Sequence, residues 1–299
     1  MYWFLFILQT VPLEQCYDHI NDSDLPIIPK VLHYVWVGNK PKPPEVVKCV
    51  QSWYKYCSDW LIVEWNDFSL QNINNTYIAE AYNAKKWAFV GDYIRIYALA
   101  MFGGVYVDAD VELLQSIDSF LNASFFIGRE NWYGYYNAGP HLMGAVPHTT
   151  ILTDILAEYT TEHFLDGNGN PNYYVLPGRF QRYFQKHYDF QVADGADQTD
   201  VLNDTVYIYP WWYFCTRNEG KETYAIHHFH GSWKKEETEN GTVEKEEQKD
   251  RKIEEGLTKE IIKKDMGKKK IWRIIGEFLM VLDIGLGVNR VGRYCIRKR

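Results

Sequence analysis

Four charged side chains in one short stretch of an otherwise apolar run are arranged so that they could do chemistry: Asp92, Arg95, Asp108 and Asp110. Asp92 and Arg95 are spaced i, i+3, so on a helix both project from one face. Asp108 and Asp110 are spaced i, i+2, so on an extended chain both carboxylates point the same way. Two convergent carboxylates make a hard-oxygen site, suited to Mg²⁺ or Mn²⁺ carrying a diphosphate. Much later, residues 224–233 read YAIHHFHGSW. One neutral imidazole from this run could complete the coordination shell of such a metal. Zinc held by these histidines alone is the rival, although no cysteine lies near them in sequence.

These side chains need elements that hold them. Residues 88–101 are apolar with helical periodicity, and Gly103-Gly104 suits the left-handed turn that ends a helix. Val105, Tyr106 and Val107 then read as a short buried strand with the two aspartates at its C-terminal end. In open α/β sheets, ligands sit beyond those strand ends. Upstream, residues 27–39 form a first strand around His33 and Trp36, where Trp36 is either a core residue or a ring stacked on a base; His33 reads as structural. A helix over 45–56, a strand over 60–65 and a helix over 74–83 complete a doubly wound α/β pattern with the acids at its far edge. Beyond them the reading is a strand at 125–128, a helix at 150–161 and an aromatic, strand-like segment at 207–214. The loop 166–172 lacks the bidentate glutamate that a calcium loop needs.

The 299-residue chain has room for one large α/β domain with appendages. Its net charge of −7 argues against nucleic-acid binding driven by phosphate contacts. Aromatic residues make up 16% of the chain, a surplus that suits stacking on sugars and bases. Five cysteines without CxxC spacing suggest reduced thiols in a cytosolic setting.

The run GDYIRIYALAMFGGVYVDAD resembles the signature of the family 32 glycosyltransferases, the sugar-binding-region transferases with a DXD motif. The match falls on Asp92, Arg95, Gly103, Gly104, Tyr106, Asp108 and Asp110, with Gly91 where the family usually has serine. The Ile-Pro-Lys-x-x-His-x-x-Trp opening, from Ile28 to Trp36, and the His-His-x-x-Gly-Ser-Trp block are similar to the family's first and last motifs. The resemblance implies a GT-A type nucleotide-diphospho-sugar transferase fold, an α/β mixed sheet flanked by helices, and a Mn²⁺- or Mg²⁺-dependent, retaining hexosyl transfer. It implies a donor site of Val35, Trp36, Asp92, Arg95, Tyr106, Asp108, Asn137, Ser232 and Trp233. By position it carries the third metal ligand onto His228, with His230 as the alternative, beside Asp108 and Asp110.

The expected organisation is an N-terminal extension (1–26), a catalytic domain (27–234), a charged linker or helix (235–270) and an amphipathic basic tail (271–299). Residues 1–9 are apolar but too short to span a bilayer. Residues 263–299 could lie on an anionic membrane surface or pack on the domain. The expected partners are a nucleotide-sugar, with UDP favoured and GDP-mannose the alternative, and a glycan or lipid-linked acceptor in surface (capsular) polysaccharide synthesis. The expected location is cytoplasmic, including the inner face of the membrane. A metal-dependent phosphoester hydrolase and a decayed glycan-binding protein are the competing readings.

Overall fold

In a computed structural model of the chain, the described residues are 28–132, 134–194 and 196–230. The chain divides into two units, 25–254 and 1–24 with 255–299, and all described residues lie in the first. The expectations for the N-terminal extension, the linker and the tail fall outside the described residues. Among the described residues, no helix is long and apolar enough to cross a membrane.

The α/β class and the mixed, helix-flanked sheet hold. Seven strands run in the order β2 (Leu61–Trp65), β1 (Val31–Val35), β3 (Gly104–Val107), β6 (Tyr135–Ala145), β5 (Phe125–Trp132), β8 (Val206–Tyr209), β7 (Asp200–Leu202). β1 is parallel to β2 and β3, whereas β3 pairs antiparallel with β6. The acids follow β3, which is third of seven strands, so they do not lie at the far edge. The β5–β6 hairpin and the later strands extend the sheet past them. β4 (Val111–Leu113) and β9 (Ala225–His227) form a separate antiparallel ribbon.

The period of two along β1 and β3 sorts their side chains. Leu32, Tyr34, Val105 and Val107 enter the core cluster shared with Cys49 and Trp53 of α1 (Pro44–Tyr56). α1 also holds the ribbon directly, because Trp53 Nε1–H donates to Val111 O (2.8 Å) and Ser52 Oγ accepts from Leu113 N–H (2.9 Å). Tyr106 points to the opposite face, where the Arg95 guanidinium lies 4.7 Å from its ring. Arg95 belongs to α4 (Trp87–Phe102), which packs against α3 (Thr76–Asn83), α5 (Thr150–Glu158) and the sheet. That surrounding explains why α4 is apolar around most of its circumference.

Two expectations need correction. Residues 207–214 are not one strand: Pro210 ends β8, and Trp211–Phe214 form a short helix, α7. Leu176–Tyr188 forms a helix, α6, that the sequence reading left unassigned, although Leu176, Phe180, Tyr183 and Phe184 mark a buried helical stripe.

The turn between α4 and β3 is fixed by glycine and by His33. Gly103 and Gly104 have φ of +64° and +102°, a region open to glycine, and a Cβ on Gly104 would press into the Val31 carbonyl. Trp65 Nε1–H donates to His33 Nδ1 (3.2 Å), so the proton sits on Nε2, which donates to Gly103 O (2.9 Å). Burial lowers the His33 pKa from 6.5 to about 4, against that backbone contact. Protonation therefore opposes folding: the stability is fully present above pH 6.5 and is lost as pH falls toward 4. We expect a His33-dependent loss of roughly 3 kcal/mol across that window. Urea melts at stepped pH should show it in wild type and not in His33→Gln. Gly104→Ala should cost at least about 2 kcal/mol, and an unchanged urea midpoint would refute the strain.

Candidate active site

The geometry centres on a buried guanidinium. Arg95 is only 7% exposed, and Nη2 lies 3.3 Å from Asp92 Oδ1 and 3.1 Å from Asp108 Oδ1. Nη1 donates to Pro140 O at 2.8 Å, and the plane covers Tyr106, whose hydroxyl donates to Asp108 Oδ1 at 2.8 Å. Burial works against the charge, but Asp108, Tyr106 and Asp92 outweigh it and raise the Arg95 pKa. Asp92 is held from its other side by Leu176 N–H at the start of α6 (3.3 Å), and burial raises its carboxyl against the pull of Arg95. Tyr106, expected at the donor, is only 2% exposed and supports Asp108 and Arg95 from below.

Asp108 and Asp110 converge through a turn, not through the extended chain expected. Val111 N–H donates to Asp108 O (2.9 Å), and Asp108 N–H donates to His141 O (2.8 Å). The ribbon then decides which histidine meets them. β4 and β9 pair Val111 with His227 and Glu112 with Ile226. Residues directly opposite share a face, and a one-residue shift exchanges faces. His227 shares the Val111 face, and Asp110 stands in the turn just before β4, outside the strand's alternation, where its Oδ1 lies 3.3 Å from His227 Nε2. His228 falls on the other face and meets Glu112 Oε2 at 2.9 Å. The structure thus brings His227, and not the expected His228, beside the two aspartates. His230, the alternative, contributes its backbone: the left-handed Phe229 (φ +52°) turns the chain so that His230 N–H donates to Asp110 Oδ2 at 3.0 Å. Burial would raise the Asp110 carboxyl, but His227 and the His230 N–H hold it down at about 2.

Single ligand atoms of Asp108, Asp110 and His227 all lie within 4.8 Å of one another. Two carboxylates and one imidazole fit Mn²⁺ or Mg²⁺. The His227 Nδ1 is buried without a hydrogen-bond partner, and its ring stacks on His141 at 4.6 Å. A ligand set made of the three histidines does not assemble among the described residues, because His228 is turned toward Glu112.

His141 was not foreseen. The ladder between β5 and β6 jumps from Ile127↔Met143 to Gly128↔Gly139, so residues 140–142 bulge out of it. This bulge presents Pro140 O to Arg95, and it aims the His141 ring at His227. Only glycine fits at 139, since a Cβ there would come 2.6 Å from the His141 ring. Glu130 Oε2 lies 3.8 Å from His141 Nδ1. Glu130 and its cross-strand partner Asn137 line an open cleft of about 660 Å³. Val35 pairs with Trp65 at the end of β1. The half-buried Trp36 that follows donates from Nε1 to Lys40 O (2.7 Å). Asp67 ties down the next loop through the N–H groups of Gly38 (3.0 Å) and Asn39 (3.1 Å). Ser232 and Trp233 lie outside the described residues.

Residues 43–127 match the family model described as glycosyltransferase sugar-binding region containing DXD motif. This segment is similar to the DXD glycosyltransferases. The DXD region takes in Asp92, Arg95, Asp108 and Asp110 but stops short of Asn137, His141 and the histidine run. Two curated relatives in Schizosaccharomyces pombe are similar over part of the chain. Inositol phosphoceramide mannosyltransferase 2 is 31% identical over 137 residues, which is 44% of this chain and 38% of that protein. Inositol phosphoceramide mannosyltransferase 3 is 26% identical over 134 residues, 42% and 36% respectively. The chain thus spans well under half the length of either relative. A solved structure titled PaToxG Glycosyltransferase superposes with a TM-score of 0.42 at 15% identity, covering 54% of this chain and 70% of that one.

The ribbon register separates the two adjacent histidines experimentally. Calorimetric titration of Mn²⁺ should give binding on the order of tenfold or more weaker in His227→Ala, and within about twofold of wild type in His228→Ala. The opposite ranking would show that the register is wrong.

Proposed function

We propose that this protein is a metal-dependent glycosyltransferase that moves a hexosyl group, with retention, from a nucleoside-diphosphate sugar to a hydroxyl of a glycan or glycolipid. The observation that carries the reading is the convergence of Asp108 and Asp110, beside the buried Asp92–Arg95 pair of the DXD region, with His227 from outside it. Asp108, Asp110 and His227 would hold Mn²⁺ or Mg²⁺, which supplies Lewis-acid neutralisation of the charge gathering on the departing diphosphate. Arg95 keeps Asp108 in one orientation and adds a fixed positive charge behind it. Asp92, anchored by Leu176 N–H, orients the donor sugar together with Arg95. Trp36 offers a ring to the base, and Ser232 and Trp233 are assigned to the diphosphate.

The names of the two relatives support a mannose-bearing donor and a glycolipid acceptor over a UDP-hexose and a capsular polysaccharide. A lipid acceptor also agrees with the basic 263–299 segment resting on an anionic membrane.

A donor screen tests this. Nucleotide release from GDP-mannose and a set of UDP-hexoses would be followed with Mn²⁺ and with EDTA. One donor should be turned over slowly and only with metal, and Asp108→Asn or Asp110→Asn should lower the rate roughly 100-fold or more. Rates that survive both EDTA and the substitutions would defeat the proposal. Equal turnover of simple phosphoesters would point to a hydrolase.

A further inference from the structure

The cleft beside the acids has no role in the donor site just described, yet it is joined to that site at two points. Its wall at the start of α6 is Val175 and Pro177, and the residue between them, Leu176, donates its N–H to Asp92 Oδ2 at 3.3 Å. On the other side Glu130 lies 3.8 Å from His141, whose ring stacks on His227. The cleft is therefore contiguous with both halves of the acid cluster.

The walls are also built to stay in place. Arg129 is fully buried and donates to Val192 O (2.7 Å) and Asp194 O (2.9 Å), the carbonyls on either side of the cleft residue Ala193. It donates as well to Ile208 O and pairs with Asp200, so the loop over 192–194 is pinned to the sheet. A guanidinium spending its donors on main-chain carbonyls shapes a surface ahead of binding, which lowers the ordering cost.

The lining suits a sugar ring. Tyr135 is 75% exposed on the hairpin, an aromatic face standing in water, and Glu130 and Asn137 sit opposite each other across β5 and β6. A carboxylate and an amide side by side accept from and donate to neighbouring hydroxyls, and the exposed ring can pack on the C–H face of a pyranose. Few polar groups converging in a preformed hollow is how small-molecule sites are made.

We infer that this cleft is the acceptor subsite, that it takes a pyranoside, and that Glu130, Asn137 and Tyr135 hold the ring whose hydroxyl receives the transferred sugar. This rests on the transferase reading above, and it moves Asn137 from donor to acceptor. In the transfer the bond from the donor's anomeric carbon to the diphosphate oxygen breaks. The acceptor oxygen forms the new bond to that carbon, and its proton goes to the departing diphosphate. Glu130 accepts a hydrogen bond from the acceptor and takes no proton.

Saturation-transfer NMR with a panel of methyl and octyl hexosides tests the assignment on the full-length protein. At least one hexoside should bind, and Glu130→Gln and Tyr135→Ala should each weaken it at least tenfold. The exposed Tyr135 makes the second variant safe for folding, and an unchanged melting temperature would verify that. Tighter binding of the octyl form would indicate a lipid-linked acceptor, and equal affinity a free glycan. Donor turnover without any hexoside binding, or binding that ignores both substitutions, overturns the acceptor assignment. Hexoside binding at the cleft with no turnover of any donor overturns the transferase reading and leaves a sugar-binding cleft.

Discussion

Much of this structure depends on one buried cation. Arg95 has almost no contact with solvent, so its charge must be met by carboxylates and carbonyls inside the protein. It is met by Asp92 one helical turn earlier, by Asp108 after the next strand, and by Pro140 O on a third element. Satisfying the guanidinium therefore locks α4, β3 and the β6 bulge to one another. Removing one partner of such a buried pair typically costs about 3–5 kcal/mol, so positioning of the acids and stability of the fold are the same requirement.

Two small devices serve that lock. The Gly103-Gly104 turn brings α4 back onto β3 at a distance that no side chain allows, and His33 secures the turn from the neighbouring strand. The bulge in β6 takes three residues out of the β5 ladder, which frees the Pro140 carbonyl for Arg95 and points His141 at His227. Bulges are frequent beside active sites for this reason: they re-aim a side chain without ending the strand.

The second half of the site comes from a part of the chain distant in sequence. The β4–β9 ribbon sits on α1 through Trp53 and Ser52, and it brings His227 beside Asp110, which stands in the turn ahead of β4. Helix α6 and the hairpin tip add the cleft, with Arg129 fixing the loop opposite. The DXD region alone thus provides the acids and the cation, while His227 and the cleft are supplied by elements outside it.

This division marks what was legible in the sequence. Asp92, Arg95, Asp108 and Asp110 were legible because their chemistry is local: spacing on one helix, a glycine pair, a short apolar strand. The α/β class followed from the same periodicities. His227 was not, since three histidines in four residues are equivalent until a strand partner is known, and only β4 supplies it. His141 and Glu130 gave no signal because their meaning arises from a bulge, a change in pairing that no side-chain pattern announces. The aromatic run after β8 read as strand because its composition is strand-like, and Pro210 turned it into a helix that packs on β5. The sequence by itself determined which groups would carry charge at the end of β3. Which imidazole joins them, and which hollow faces them, was decided by long-range pairing.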